Sequence, residues 1–113
     1  MANNSSKKQK DINSALSQQV LGALENVIDP ELGIDVVNLG LIYKIDVRNG
    51  YCIITMTLTI MGCPLSDLLD DQIKQAATSV EGINSCKINL VWEPAWNIHK
   101  MSHLAKMALG IHD

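Results

Sequence analysis

The dipeptide Asn49-Gly50 constrains this chain more than any other pair of residues. It lies between two runs that alternate like strands, Leu41 to Val47 and Tyr51 to Thr59. Asn-Gly is the preferred pair for a two-residue type I′ turn, whose twist matches the strands it joins. Such a turn dictates a register: Arg48 opposite Tyr51, Val47 opposite Cys52, Ile45 opposite Ile54. One face then carries Leu41, Tyr43, Ile45, Val47, Cys52, Ile54, Met56 and Leu58. The other carries Lys44, Asp46, Arg48, Thr55, Thr57 and Thr59, together with Ile42, Tyr51 and Ile53. A slip of one residue would scramble this separation, so the pattern predicts a half-buried hairpin.

Helical periods flank the hairpin. Leu16, Val20, Leu24 and Val27 recur at spacings of three and four, which predicts a helix from about Ser14 to Ile28 with Asn13 as N-cap. Pro30 disfavours α conformation at Asp29 and should end it. A second helix is expected from Pro64 to about Val80, with Leu65, Leu68, Leu69, Ile73, Ala76, Ala77 and Val80 inward. Its wet side holds Asp67, Asp70, Asp71, Lys74 and Gln75, with Asp70 and Lys74 as an i,i+4 pair and Gly82 as the stop. Cys86 to Trp92 alternates as a third strand. A last helix is expected from Ile98 to Leu109, with Met101, Leu104, Ala105 and Ala108 inward. The order helix, hairpin, helix, strand, helix predicts an α/β fold of the α+β type, a small mixed sheet packed by helices. Residues 1–12 are almost wholly polar and read as a disordered, solvated tail; residues 13–113 read as one domain.

Composition excludes several classes. With no Phe and two each of Trp and Tyr, the core must be aliphatic. A formal net charge of -3 gives no drive toward phosphate backbones, so nucleic acid is not expected as a partner. No apolar run approaches a membrane span, and the N-terminus lacks the apolar region of a signal peptide. Three Cys without a CxxC pair argue against a disulfide scaffold and fit a reducing cytoplasm.

The sharpest chemical feature is Gly62-Cys63-Pro64, where the hairpin gives way to the second helix. With Pro64 at the first helical position, Cys63 falls at the N-cap. The free amides and dipole there favour a thiolate, the form that binds metal or attacks an electrophile. A small apolar cap is the alternative reading. Cys52 and Cys86 read as inert core thiols without metal-ligand spacing to Cys63. Asp29-Pro30-Glu31 places two carboxylates on a turn, either as a metal or partner contact or as a plain polar turn. His99 and His103 have chelate spacing but read as a solvated face. Trp92 reads as core, and Trp96 as a cover for the sheet end or a partner surface. No phosphate-binding glycine loop and no HExxH occurs, so the chain is not expected to be an enzyme.

Taken in order, Asp29-Pro30-Glu31-Leu32, Asn38-Leu39-Gly40-Leu41-Ile42-Tyr43, Thr57-Leu58-Thr59 and Gly62-Cys63-Pro64 resemble a known family. It is the small iron–sulfur cluster assembly domain shared by the SufT and PaaD proteins and by the eukaryotic cytosolic iron–sulfur targeting subunit. The ending, Val91-Trp92-Glu93-Pro94-Ala95-Trp96, then Met101-Ser102 and Leu109-Gly110, is similar to stand-alone bacterial SufT-like members. The resemblance covers about residues 16–110. It implies the α/β fold above and work in maturing iron–sulfur proteins. It places the family's motif cysteine on Cys63, its acidic pair on Asp29 and Glu31, and its strand-end threonine on Thr59, with Thr57 beside it. Two departures stand out. Ile60-Met61 precedes Gly62 where relatives often carry a small residue and Pro, and Ala95 replaces a frequent second Pro.

The expectation is a cytoplasmic accessory factor that assembles or delivers iron–sulfur clusters, with Cys63 as thiolate ligand or transfer point. Its cargo would be a transient cluster or iron. Its partners would be carrier or scaffold proteins, apo-targets or a second copy of the chain, because one thiolate cannot fill the four-thiolate shell of a cluster. A metal-free adaptor that docks carriers or targets is the alternative. A thiol enzyme is a third reading, opposed by the lack of a resolving Cys or adjacent His.

Overall fold

The computed structural model describes residues 2–30, 32–59 and 66–111, with side chains from Asn13 onward. Among the described residues, three α-helices pack with a three-stranded mixed sheet. The elements are α1 (Ala2–Leu24), β1 (Ile42–Arg48), β2 (Tyr51–Met56), α2 (Asp67–Thr78), β3 (Ser85–Leu90), a 3-10 turn (Ile98–Lys100) and α3 (His103–Ala108). The strand order is β1-β2-β3, with β2 antiparallel to β1 and parallel to β3. Parallel pairing of β2 and β3 requires a crossover, and α2 supplies it.

The hairpin has the register expected from Asn49-Gly50, from Arg48↔Tyr51 through Lys44↔Thr55. Both turn residues have positive φ, 51° and 82°, as a type I′ turn demands. Cys52, Ile54 and Met56 of β2 are fully buried, and Val47 joins them from β1. Against this face pack Val20 and Leu24 of α1, and Leu69, Ile73 and Ala77 of α2. Val36, Leu39, Leu41, Met101 and Ala105 close the core from the loops and the C-terminal segment.

The register breaks at one place. Ile42 rather than Tyr43 pairs with Met56, so Tyr43 is the extra residue of a β-bulge. Leu41 consequently pairs with Thr57, whose N–H donates to its carbonyl at 2.9 Å, instead of with Leu58. Thr57 was expected on the polar face; it is fully buried.

The helix limits differ from expectation. α1 begins at Ala2, so the polar segment expected as a tail carries helical backbone, and Asn13 lies inside the helix rather than capping it. α1 ends at Leu24, four residues before Ile28. The chain from Val27 to Val36 instead folds back on itself, with an Ile28↔Asp35 bridge and a Val36 N–H to Val27 O bond of 3.0 Å. Two β-branched residues followed by the residue before Pro30 favour extended backbone over another helical turn.

α2 begins at Asp67, with Ser66 as its N-cap accepting from the Leu69 N–H at 3.2 Å. Cys63 is therefore not the cap: Ser66 holds that position, and Ser is the stronger acceptor for first-turn amides. Leu68 is 66% exposed. The buried stripe is centred on Leu69, Ile73 and Ala77, and each helical residue turns about 100° from the last, so Leu68 falls off it. The expected Asp70–Lys74 pair is present at 3.0 Å.

The C-terminal helix is broken in two. Met101 is extended, and Ser102 restarts the helix as an N-cap, accepting from the Ala105 N–H. His99 and His103 thus belong to different elements, and their chelate spacing has no helical basis. Leu104 and Ala108 are exposed, whereas Met101 and Ala105 point inward as expected. Trp92 was expected in the core; it is half-buried and outside the core cluster, whereas Trp96 packs against it.

A clamp holds this segment to the loop before β1. The Asp35 carboxylate accepts from the Asn38 backbone and side-chain N–H groups. Asn38 Oδ1 accepts from the Ser102 hydroxyl at 2.6 Å, and the Asn38 carbonyl accepts from the Ser102 N–H at 2.8 Å. Trp96 Nε1 donates to the Leu39 carbonyl at 2.6 Å, and the bulged Tyr43 donates its hydroxyl to the Pro94 carbonyl at 2.7 Å. Gly40 sits under Lys100: a Cβ there would overlap the Lys100 carbonyl group, and φ is +78°.

This geometry separates two glycines. Gly33 also has positive φ, but a Cβ there would meet nothing within 4 Å. Gly33→Ala should cost the left-handed penalty alone, ~1–2 kcal/mol. Gly40→Ala should lower unfolding free energy by at least ~1 kcal/mol more than Gly33→Ala, because it must also displace the C-terminal segment. Urea unfolding of the two variants checks this; equal losses would mean that the Lys100 contact is not constraining.

Candidate functional site

The candidate site is built where β2 ends. Leaving Met56, the chain runs through Thr57, Leu58 and Thr59 toward Ser66, where α2 starts. In open α/β sheets, ligands bind in the crevice outside the carboxyl ends of the strands. Here β2 and β3 end side by side: the Val91 N–H donates to the Met56 carbonyl at 2.8 Å.

Thr57 is the most informative residue of this end. It is the one buried polar residue among those described, and its hydroxyl has no hydrogen-bond partner among the described residues. An unsatisfied buried hydroxyl costs about 1–3 kcal/mol, so each instance calls for a physical reason. Thr59, two residues on, is half-buried.

Asp29 is half-buried in the turn that ends the α1 connection. Its carboxylate accepts from the Leu32 N–H at 3.1 Å, and its carbonyl accepts from the Gly33 N–H at 2.8 Å. The Asp29 N–H donates to the Ile34 carbonyl, closing the turn. A ladder of backbone bonds joins this turn to the β2 end: Val36 to Val27, Leu41 to Val36 and Thr57 to Leu41. Asp29 and Thr57 are thus tied through one continuous stretch of backbone. Glu31 and Cys63, the other two expected site residues of highest interest, lie outside the described residues. By sequence, Cys63 falls in the β2–α2 connection, three residues ahead of the Ser66 cap.

Among the described residues no group of three His, Cys, Asp or Glu side chains could hold a metal ion. His99 and His103 are both exposed. The donor chemistry of the expected set is one thiol, two carboxylates and two hydroxyls, which does not supply the four thiolates of a resident cluster. No helix among the described residues is long and apolar enough to cross a membrane.

Two features escaped the sequence pattern. The burial of Thr57 follows from the bulge at Tyr43, and strict alternation cannot place a bulge. Cys52 and Cys86 stand opposite each other on β2 and β3, because the strands pair in parallel register. A β-strand, helix, β-strand order is the signal that could have given the parallel pairing.

Residues 17–90 match the family described as iron–sulfur cluster assembly protein. The chain is 49% identical over 98 residues to the Fe-S protein maturation auxiliary factor YitW of Bacillus subtilis, covering 86% of this chain and 96% of that one. It is 50% identical over 86 residues to the Fe-S protein maturation auxiliary factor SufT of Staphylococcus aureus, covering 75% of this chain and 98% of that one. The fold is similar to the crystal structure of a domain of unknown function, DUF59, from Bacillus anthracis. The TM-score is 0.83 at 41% identity, over 91% of this chain and 99% of that one. With its fold, its ordered motifs and its near full-length relatives in agreement, the chain belongs to the iron–sulfur cluster assembly protein family.

Proposed function

We propose that this chain is an accessory factor that assembles iron–sulfur clusters or delivers them to apo-proteins, with Cys63 as the thiolate that meets the cargo. Family membership supports the general role. The observation that carries the site assignment is the unpartnered hydroxyl of Thr57, buried where β2 leads toward Cys63. A fold retains such a group at a cost unless something else uses it. Thr59, Asp29 and Glu31 complete the proposed set.

Cys63 supplies one sulfur, so the remaining ligands come from elsewhere: a carrier or scaffold protein, the apo-target or a second copy of the chain. That arithmetic favours transient handling of a cluster over stable storage. Ser66 is the N-cap of α2 and its side chain accepts from the Leu69 N–H, so the Cys63 thiolate is not assigned to that cap. A partner's metal would complete its deprotonation.

A metal-free docking module is the second reading. It is favoured by Leu68, exposed one turn from the same connection. Anaerobic purification with iron and sulfide analysis separates the two readings. Metal that is lost in Cys63→Ala supports the handler, and partner binding indifferent to Cys63→Ala supports the module.

Two outcomes follow. In a deletion strain, Cys63→Ala should restore iron–sulfur enzyme activities no better than an empty vector, with circular dichroism unchanged; full complementation would remove Cys63 from the mechanism. Thr57→Val should keep or raise stability by roughly 1 kcal/mol in urea unfolding, since it replaces an unpaired hydroxyl with a methyl of the same shape. The same variant should complement poorly. A stability loss above ~1 kcal/mol would show that the hydroxyl already has a structural partner.

A further inference from the structure

We propose that Cys52 and Cys86 form a peroxide-responsive dithiol, in which Cys86 takes the oxidant and Cys52 closes a reversible cross-strand disulfide.

The placement comes from the sheet. Cys52 and Cys86 are directly opposed partners of the parallel β2–β3 pair. Side chains of directly opposed residues project to the same face, and paired strands lie about 4.8 Å apart. That falls within the roughly 4.4–6.8 Å range of Cα separations that a disulfide spans. Both cysteines are reduced in this structure.

The two thiols differ in the way a sensing pair requires. β3 is an edge strand, and Cys86 on it is half-buried, open to a small solute. Cys52 on the central strand is fully buried and out of a solute's reach. Cys86 also faces the Asp70–Lys74 ion pair of α2. A hydrogen bond from Cys52, helped by the Lys74 ammonium against the cost of burial, holds the Cys86 thiol below its ordinary value. The same contact and burial push Cys52 up. Access decides which sulfur a peroxide reaches first, and it selects Cys86, the less buried of the two.

The chemistry balances with a hydroperoxide as oxidant. The Cys86 thiolate attacks one peroxide oxygen. The O–O bond breaks, hydroxide leaves and is protonated to water, and the sulfur becomes a sulfenic acid. The Cys52 sulfur then attacks Cys86 Sγ, an S–S bond forms, the S–O bond breaks, and the departing hydroxide takes the Cys52 proton as a second water. Two thiols and one hydrogen peroxide give one disulfide and two waters. An ordinary thiol reductant reverses it by exchange.

The test treats the full-length reduced protein, and its Cys63→Ser form, with stoichiometric hydrogen peroxide, followed by alkylation and peptide mapping by mass spectrometry. The expected product in both has lost two hydrogens, carries a Cys52–Cys86 linked peptide and returns to the dithiol with dithiothreitol. Cys52→Ala should instead leave a sulfenic acid on Cys86 that dimedone traps. Mapping of the wild-type chain decides by itself should that core variant fail to fold. The proposal is overturned if Cys86 proceeds to sulfinic acid with Cys52 still reduced. It is equally overturned if the recovered disulfide joins Cys63 to either cysteine, or if Cys52 and Cys86 both stay reduced while Cys63 is oxidised.

Discussion

Gly50 ties both neighbours of the central strand to one point. With Asn49 it makes the left-handed turn that sets the β1–β2 register. Its carbonyl also accepts from the N–H groups of Asn84, at 2.7 Å, and Ser85, at 3.3 Å, where β3 begins. A Cβ at this position would stand 2.5 Å from the Asn84 side-chain nitrogen. Glycine is therefore favoured here chiefly by its backbone angle, since the Asn84 side-chain tip could turn aside. Once β2 is fixed between its neighbours, its alternation decides which residues are buried. The position of its carboxyl end follows, and with it the start of the connection to α2.

The second constraint is the clamp between the loop before β1 and the C-terminal segment. The stretch Asn38 to Tyr43 is the most recognisable run in the chain, yet its described contacts are structural. Asn38 binds Ser102, Leu39 accepts from Trp96, Gly40 lies under Lys100, and Tyr43 reaches Pro94. The Lys100 ammonium also lies 5.0 Å from the centre of the Tyr43 ring, an interaction of about 0.5–1 kcal/mol where exposed. The bulge that turns Tyr43 toward this contact is the one that buries Thr57. Anchoring the C-terminus and shaping the end of β2 are thus two results of one extra residue in β1.

Much of the fold was legible because local rules and burial agree there. Asn49-Gly50 and the period-two pattern gave the hairpin from its turn as far as the Lys44–Thr55 pair, and the stripe Leu69, Ile73, Ala77 gave the buried face of α2. What failed did so where two local preferences compete. Ser66 outcompetes Cys63 as a cap, Val27 and Ile28 leave the helix for an extended loop, and Ser102 breaks the last helix because Asn38 holds it. The expected order of Trp92 as core and Trp96 as cover is reversed, since the distant Leu39 carbonyl, which no local pattern reveals, holds the Trp96 ring inward. Of the candidate site, sequence gave the residue types and their order. The burial and isolation of the Thr57 hydroxyl required the bulge, which alternation does not reveal.

The central claim is that the connection after β2 hands over an iron–sulfur cargo through Cys63. Its most direct measurement is anaerobic transfer in vitro. A cluster-loaded carrier and an apo-client enzyme are mixed with the full-length chain or its Cys63→Ser form, and client activity is followed in time. The account predicts that the wild-type chain accelerates reactivation and the variant leaves the carrier-only rate unchanged. Equal acceleration by both chains would contradict it.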